Sequence, residues 1–144
     1  MIITNEAYLK MINSPVVPPE TGGIMGSKNG IICEYFFDRG ILNSNFAIYS
    51  PDINNLNKQI LVWESKNIVF SGFSHTHPIG QQTLSDDDIV YIKSIMINMP
   101  DNINSLYFPI IIPRLKIFPY IAVWNNNCFS IFKSKLKIIY KEVK

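Results

Sequence analysis

The chain has 144 residues and 16.5 kDa, with 47% hydrophobic and 17% charged residues, enough apolar material for one buried core and too much for disorder. Thirteen basic against eleven acidic residues leave +2, too mild a charge to make nucleic acid or an anionic membrane the expected partner. With two histidines in all, any metal or acid–base site that needs three is excluded.

Residues 1–6 carry no basic cluster and no apolar run, so no secretory leader is expected there. The apolar stretch 106–112 is too short to span a bilayer and contains a proline, so the expected location is cytoplasmic. Cys33 and Cys128 belong to no CxxC pair and read as two buried free thiols in a reducing compartment.

In chain order, Tyr8, Leu9 and Ile12 give helical spacing over Asn5–Ile12, ending before Pro15. Pro15, Pro18 and Pro19 impose an extended approach to Glu20-Thr21-Gly22-Gly23. Strands are expected at 24–25, 31–37 and 46–50, a helix over 52–65 and a buried strand over 68–74 that runs into His75-Thr76-His77. A polar loop leads to a helix over 85–98, and three strands follow at 106–112, 117–124 and 128–131, with a strand or short helix at 136–140. Asn125-Asn126-Asn127 reads as a turn, because asparagine tolerates the left-handed region. The expected fold is α/β: a single domain over 1–144, with a mixed central sheet flanked by helices.

Charge is uneven: residues 1–113 hold six basic and ten acidic residues (net −4), residues 114–144 seven and one (net +6). Lys133, Lys135 and Lys137 alternate with Ser134, Leu136 and Ile138, which reads as the wet face of a strand.

Both histidines fall in one tripeptide. If the strand continues to His77, the two imidazoles share a face and can grip a divalent metal, with Thr76 turned away. Two polar residues at a strand end can equally be bonded to backbone or water. A metal held by two histidines needs a third ligand, and an aspartate from the first turn of the next helix, at Asp86, Asp87 or Asp88, is the nearest candidate. The competing reading of Ser85-x-x-Asp88 is a capping box. Two imidazoles, a carboxylate and a water would make an open catalytic zinc site, and Glu20, in a constrained glycine-flanked segment, is the best candidate for its base. On its own, a Glu in a turn reads as solvated. The HExxH helix and the zinc-deaminase pattern are both missing, and cupin-like and carbonic-anhydrase-like sites need a third histidine.

Glu20, then His75-Thr76-His77, seven residues from Pro78 to Leu84, Ser85 and Asp88 together resemble the motif of the JAB/MPN metalloproteases, or JAMM domains. The Glu-Thr-Gly-Gly context is similar to the small prokaryotic (bacterial) branch, and the resemblance covers roughly residues 1–112. It implies a cytidine-deaminase-like α/β fold and one zinc per chain held by His75, His77 and Asp88. Glu20 would be the general acid/base, and Ser85 would help stabilise the tetrahedral oxyanion. Asp86 and Asp87 fall outside the motif and stay as charges at the helix start. Members of the family cleave bonds after the Gly-Gly tail of ubiquitin-like proteins or act on sulfur-carrier proteins. The tail is expected to add as an extended strand beside the sheet. Deubiquitinating members carry a further insertion, often with its own zinc; after Asp88 there is no histidine and one cysteine, so ubiquitin itself is not the expected substrate. Two alternatives remain within the resemblance. A non-catalytic MPN scaffold would have lost motif residues, and a DNA-repair-associated relative fits poorly with the Glu-Thr-Gly-Gly start and the mild charge.

Overall fold

The computed structural model describes residues 1–41 and 49–140. The chain runs β1 (Ile2–Thr4), α1 (Asn5–Ile12), β2 (Gly22–Lys28), β3 (Ile31–Asp38), α2 (Ile53–Ser65), β4 (Val69–Thr76) and α3 (Asp86–Ile97). Six short strands complete it: β5 (Ser105–Tyr107), β6 (Ile110–Ile112), β7 (Lys116–Phe118), β8 (Tyr120–Asn125), β9 (Cys128–Lys133) and β10 (Lys137–Ile139). They form one mixed sheet in the order β10-β1-β3-β2-β4-β5-β8-β9, with β6 branching from the end of β4 and β7 pairing with β6. The expected α/β architecture is the one observed.

Each helix has a side-chain oxygen at its start. Thr4 Oγ1 accepts from Ala7 N (3.2 Å), Asp52 Oδ1 from Asn55 N (3.3 Å) and Ser85 Oγ from Asp88 N (3.1 Å). Ile24 and Met25, neighbours on β2, point to opposite faces and sort the helices. Met25 packs with Ala7 and Met11 of α1, whereas Ile24 packs with Leu56 and Trp63 of α2. Phe70 and Phe73 join the α2 cluster to that of Ile92 and Met96, which puts α3 on the same face as α2.

Several expectations need correction. The strand expected at 24–25 is seven residues long, because its glycines sit where larger neighbours leave no room: a Cβ on Gly23 would lie 2.5 Å from the Tyr35 hydroxyl, and one on Gly26 2.5 Å from Ile68. The strands expected at 106–112 and 117–124 are each two strands. Pro109 and Pro119, which have no N–H to donate, stand at the breaks. β1 was not expected at all; it pairs in parallel with β10 through all three of its residues and with β3 through Ile2 and Ile3. Residues 46–48 of the expected 46–50 strand lie outside the described residues, and Tyr49 and Ser50 belong to no strand.

Lys133, Lys135 and Lys137 do not share one strand. Lys133 ends β9 and Lys137 begins β10, the two ends of the sheet order. Three residues cannot bridge eight flat strands, which would lie roughly 30 Å apart from end to end. The sheet is therefore curled, and the link is tied down by Ser134 N donating to Pro119 O (2.9 Å) and the Met1 amino group donating to Lys135 O (2.6 Å). Asn126 and Asn127 take the expected left-handed conformation in the β8–β9 turn, with φ of 50° and 61°. Both cysteines are free, but neither is buried as expected: Cys33 is half-buried, and Cys128, beside that turn, is exposed. Among the described residues no helix is long and apolar enough to cross a membrane.

Candidate metal centre

The strand does continue to His77. Beyond the last residue of β4, His77 N donates to Ile111 O of β6 (3.0 Å), so His75 and His77 rise from the same face. Thr76 faces the other way and is fully buried. The first turn of α3 then brings in Asp88. His75 Nε2 and His77 Nε2 are 2.8 Å apart, and Asp88 Oδ2 lies 3.3 Å from the first and 3.2 Å from the second. Asp86 and Asp87 are exposed charges of the same turn and do not join the cluster.

These three atoms fit a tetrahedral divalent cation. Metal–ligand bonds of zinc length place neighbouring ligand atoms about 3.3 Å apart. The two His–Asp separations match that figure, and the His–His pair would need to open by about 0.5 Å. The tautomer also suits a metal. His77 Nδ1 lies 2.8 Å from Gln81 O, a carbonyl that can only accept, so Nδ1 carries the proton and the Nε2 lone pair faces the cluster.

The capping box leaves Asp88 able to serve as a metal ligand. Ser85 N donates to Asp88 Oδ2 (2.9 Å), the same oxygen that faces the imidazoles, while Asp88 N donates to Ser85 Oγ. The cap therefore fixes the rotamer that presents the carboxylate. Burial works against the charge on Asp88, but the two neighbouring imidazoles and the Ser85 amide prevail and hold its carboxyl far below the usual range. For His77 burial again opposes charge, yet its bonds to Asp88 and the Gln81 carbonyl win and raise its pKa. Ser85 itself is exposed at the helix start, and its oxygen is occupied by the cap.

Glu20 arrives from β2. The antiparallel register pairs Gly22 with His75 and Gly23 with Ser74, and Thr76 N donates to Thr21 O (2.8 Å) just past the strand end. Continued one step, that register puts Glu20 across from His77, on the face of the two imidazoles. Glu20 is half-buried and lines a pocket of ≈ 70 Å³ with Tyr49, Phe73, His75, Asp88 and Tyr91. Burial raises its pKa, the two imidazoles pull it down, and the Asp88 charge pushes it up; the net shift is upward. A carboxyl titrating above its usual range is suited to taking and returning a proton near neutral pH. All five expected residues thus lie at one place, with Ser85 on its rim rather than in the pocket lining.

Two solved structures are similar to this chain to different degrees. The solution structure of protein DSY2949 from Desulfitobacterium hafniense is 15% identical, with a TM-score of 0.67 over 98% of this chain and 94% of that one. The crystal structure of AF2198, a JAB1/MPN domain protein from Archaeoglobus fulgidus, is 14% identical, with a TM-score of 0.47 over 96% of this chain and 99% of that one. No protein-family model and no curated protein matches the sequence. At 15% identity the likeness to the first is one of fold alone, and chemistry has to be argued from side chains.

Sequence reasoning missed the pocket walls. Asp38, at the end of β3, is 3% exposed and accepts from Tyr49 Oη (2.5 Å), Asp52 N (3.0 Å) and Gly40 N (3.1 Å). No linear spacing links Asp38 to Tyr49 or either of them to the histidines. The signal was Gly22, whose position opposite His75 is visible only once the register is known.

Proposed function

We propose that this protein is a zinc-dependent peptidase or isopeptidase that hydrolyses the bond after the C-terminal Gly-Gly tail of a ubiquitin-like or sulfur-carrier protein. The observation that carries the reading is the convergence of His75 Nε2, His77 Nε2 and Asp88 Oδ2 within 3.3 Å of one another, beside the half-buried carboxyl of Glu20. The order and spacing of these residues are those of the JAMM motif, which supports the choice of substrate class.

His75, His77 and Asp88 would hold the zinc. When bound, zinc supplies a water acidic enough to be a nucleophile near neutral pH. Glu20, with its raised pKa, takes a proton as the amide is attacked and returns one to the departing amine. The Ser85 hydroxyl accepts the amide proton of Asp88 and keeps its own hydrogen free to donate to the developing oxyanion. That β4 is flanked by β2 and β6 at the histidines supports a tail that crosses the sheet face at that point rather than pairing with β4.

The test combines metal analysis with hydrolysis of a fusion linked through Gly-Gly. Wild type should hold one zinc per chain and cleave the fusion. The double variant His75→Ala/His77→Ala should lose the metal, and Glu20→Gln should keep it while losing at least about 100-fold in rate. Unchanged zinc in the double variant refutes the ligand assignment; full activity in Glu20→Gln refutes the base.

A further inference from the structure

The row of residues that crosses the sheet at the metal centre has a gap in it. Register aligns Asp38 of β3, Gly22 of β2 and His75 of β4. Directly opposed residues point to the same face, so a carboxylate and an imidazole flank a position with no side chain. Tyr49 fills it. A Cβ on Gly22 would lie 2.2 Å from Tyr49 Cε2 and 2.5 Å from Cζ, so the ring occupies the volume that any other residue at 22 would take. The phenol is anchored too: its hydroxyl donates to Asp38 Oδ2 (2.5 Å), and that carboxylate also accepts from the amides of Asp52 and Gly40. On the chain side, Ile41 N donates to Ser50 O (2.8 Å), closing the backbone behind the ring.

Other aromatic residues of the pocket are placed differently. Phe73 stacks on Phe108 at 6.1 Å and belongs to the core beneath the helices, and Tyr91 comes from α3 with 46% of its surface exposed. Only Tyr49, among the lining residues, is seated in the row of His75 and braced by a buried charge.

We propose that Tyr49, latched by Asp38, sets the size limit of the site, admitting glycine beside the metal ligands and rejecting larger residues. The inference rests on the metal reading above and assigns the selectivity to a residue outside the metal motif. The ring is a fixed wall because moving it would strip a buried carboxylate of its only side-chain donor among the described contacts.

Amino-acid hydroxamates provide a binding test that needs no turnover, since glycine and leucine hydroxamates carry the same metal-directed group. With zinc-loaded wild type, glycine hydroxamate should bind at least about tenfold tighter than leucine hydroxamate. Tyr49→Ala should bring the ratio below about threefold at unchanged zinc content, and Tyr49→Phe, which keeps the ring but not the latch, should fall between. A wild type without preference, or a Tyr49→Ala variant with the wild-type ratio, overturns the inference and leaves the metal reading standing. A wild type that takes up no zinc overturns both. A second measurement without metal covers misfolding. Gly22→Ala should lower the melting temperature by about 4 °C or more in wild type and by less in Tyr49→Ala, where the contact of the new Cβ with Ser74 O (2.6 Å) remains. Equal shifts in the two backgrounds overturn the placement of the ring.

Discussion

Thr76 fastens the strand of the histidines to the segment of Glu20, and Thr76→Val tests how much that fastening contributes. Its Oγ1 accepts from Thr21 N (2.8 Å) and donates to Thr21 O (3.3 Å), in a site where Thr76 is 0% and Thr21 2% exposed. Valine keeps the shape and removes both bonds. The carbonyl of Thr21 still receives Thr76 N, but its amide loses its partner, and the Thr21 hydroxyl is already buried without one. An unpaired buried amide costs about 1–3 kcal/mol, so that loss of stability is expected. Urea unfolding of the zinc-free protein, followed through the fluorescence of buried Trp63, measures it. Thr76→Ser keeps both bonds and should lose only about 0.8 kcal/mol for its missing methyl. Because Glu20 is adjacent to Thr21, a displacement of ~1 Å in Thr76→Val should also slow hydrolysis by about 100-fold at full zinc occupancy. A stability loss under about 0.5 kcal/mol, with serine and valine indistinguishable, would refute the reasoning.

Two further outcomes are expected. Gly72→Ala should destabilise the protein by about 3 kcal/mol or more, since the added Cβ would stand 2.0 Å from Tyr107 O where β4 and β5 meet; a variant that melts with wild type would refute that contact. Zinc affinity should fall on acidification, because the proton that competes with the metal at His77 binds more tightly than at an ordinary imidazole. The decline should start above the usual value of 6.5, and chelator competition between about pH 8 and about pH 6 checks it, a flat profile being the refuting result.

Much of the site was legible because its parts are local. His75 and His77 share a face by the period of a strand, and Asp88 follows Ser85 at the spacing of a helix cap, so both relations hold wherever those elements form. The three helices were equally plain, each with its apolar spacing and a polar residue at its start. The short strands were not. β1 has three residues and gains its stability from partners at Ile31–Ile32 and Lys137–Ile139, which no local pattern announces. β2 reads as broken because its glycines are strand-poor by propensity, yet Tyr35, Trp63 and Ile68 fill the space those glycines leave.

By itself, the sequence determined the helices, the facing pair of imidazoles and a carboxylate one loop away, since each depends on spacing within a single element or turn. Only the tertiary structure decided that Glu20 comes to the face of the two imidazoles, that one oxygen of Asp88 serves both cap and cluster, and that Tyr49 lies over Gly22 against Asp38. These contacts join residues whose separation along the chain carries no information until strand register brings them together.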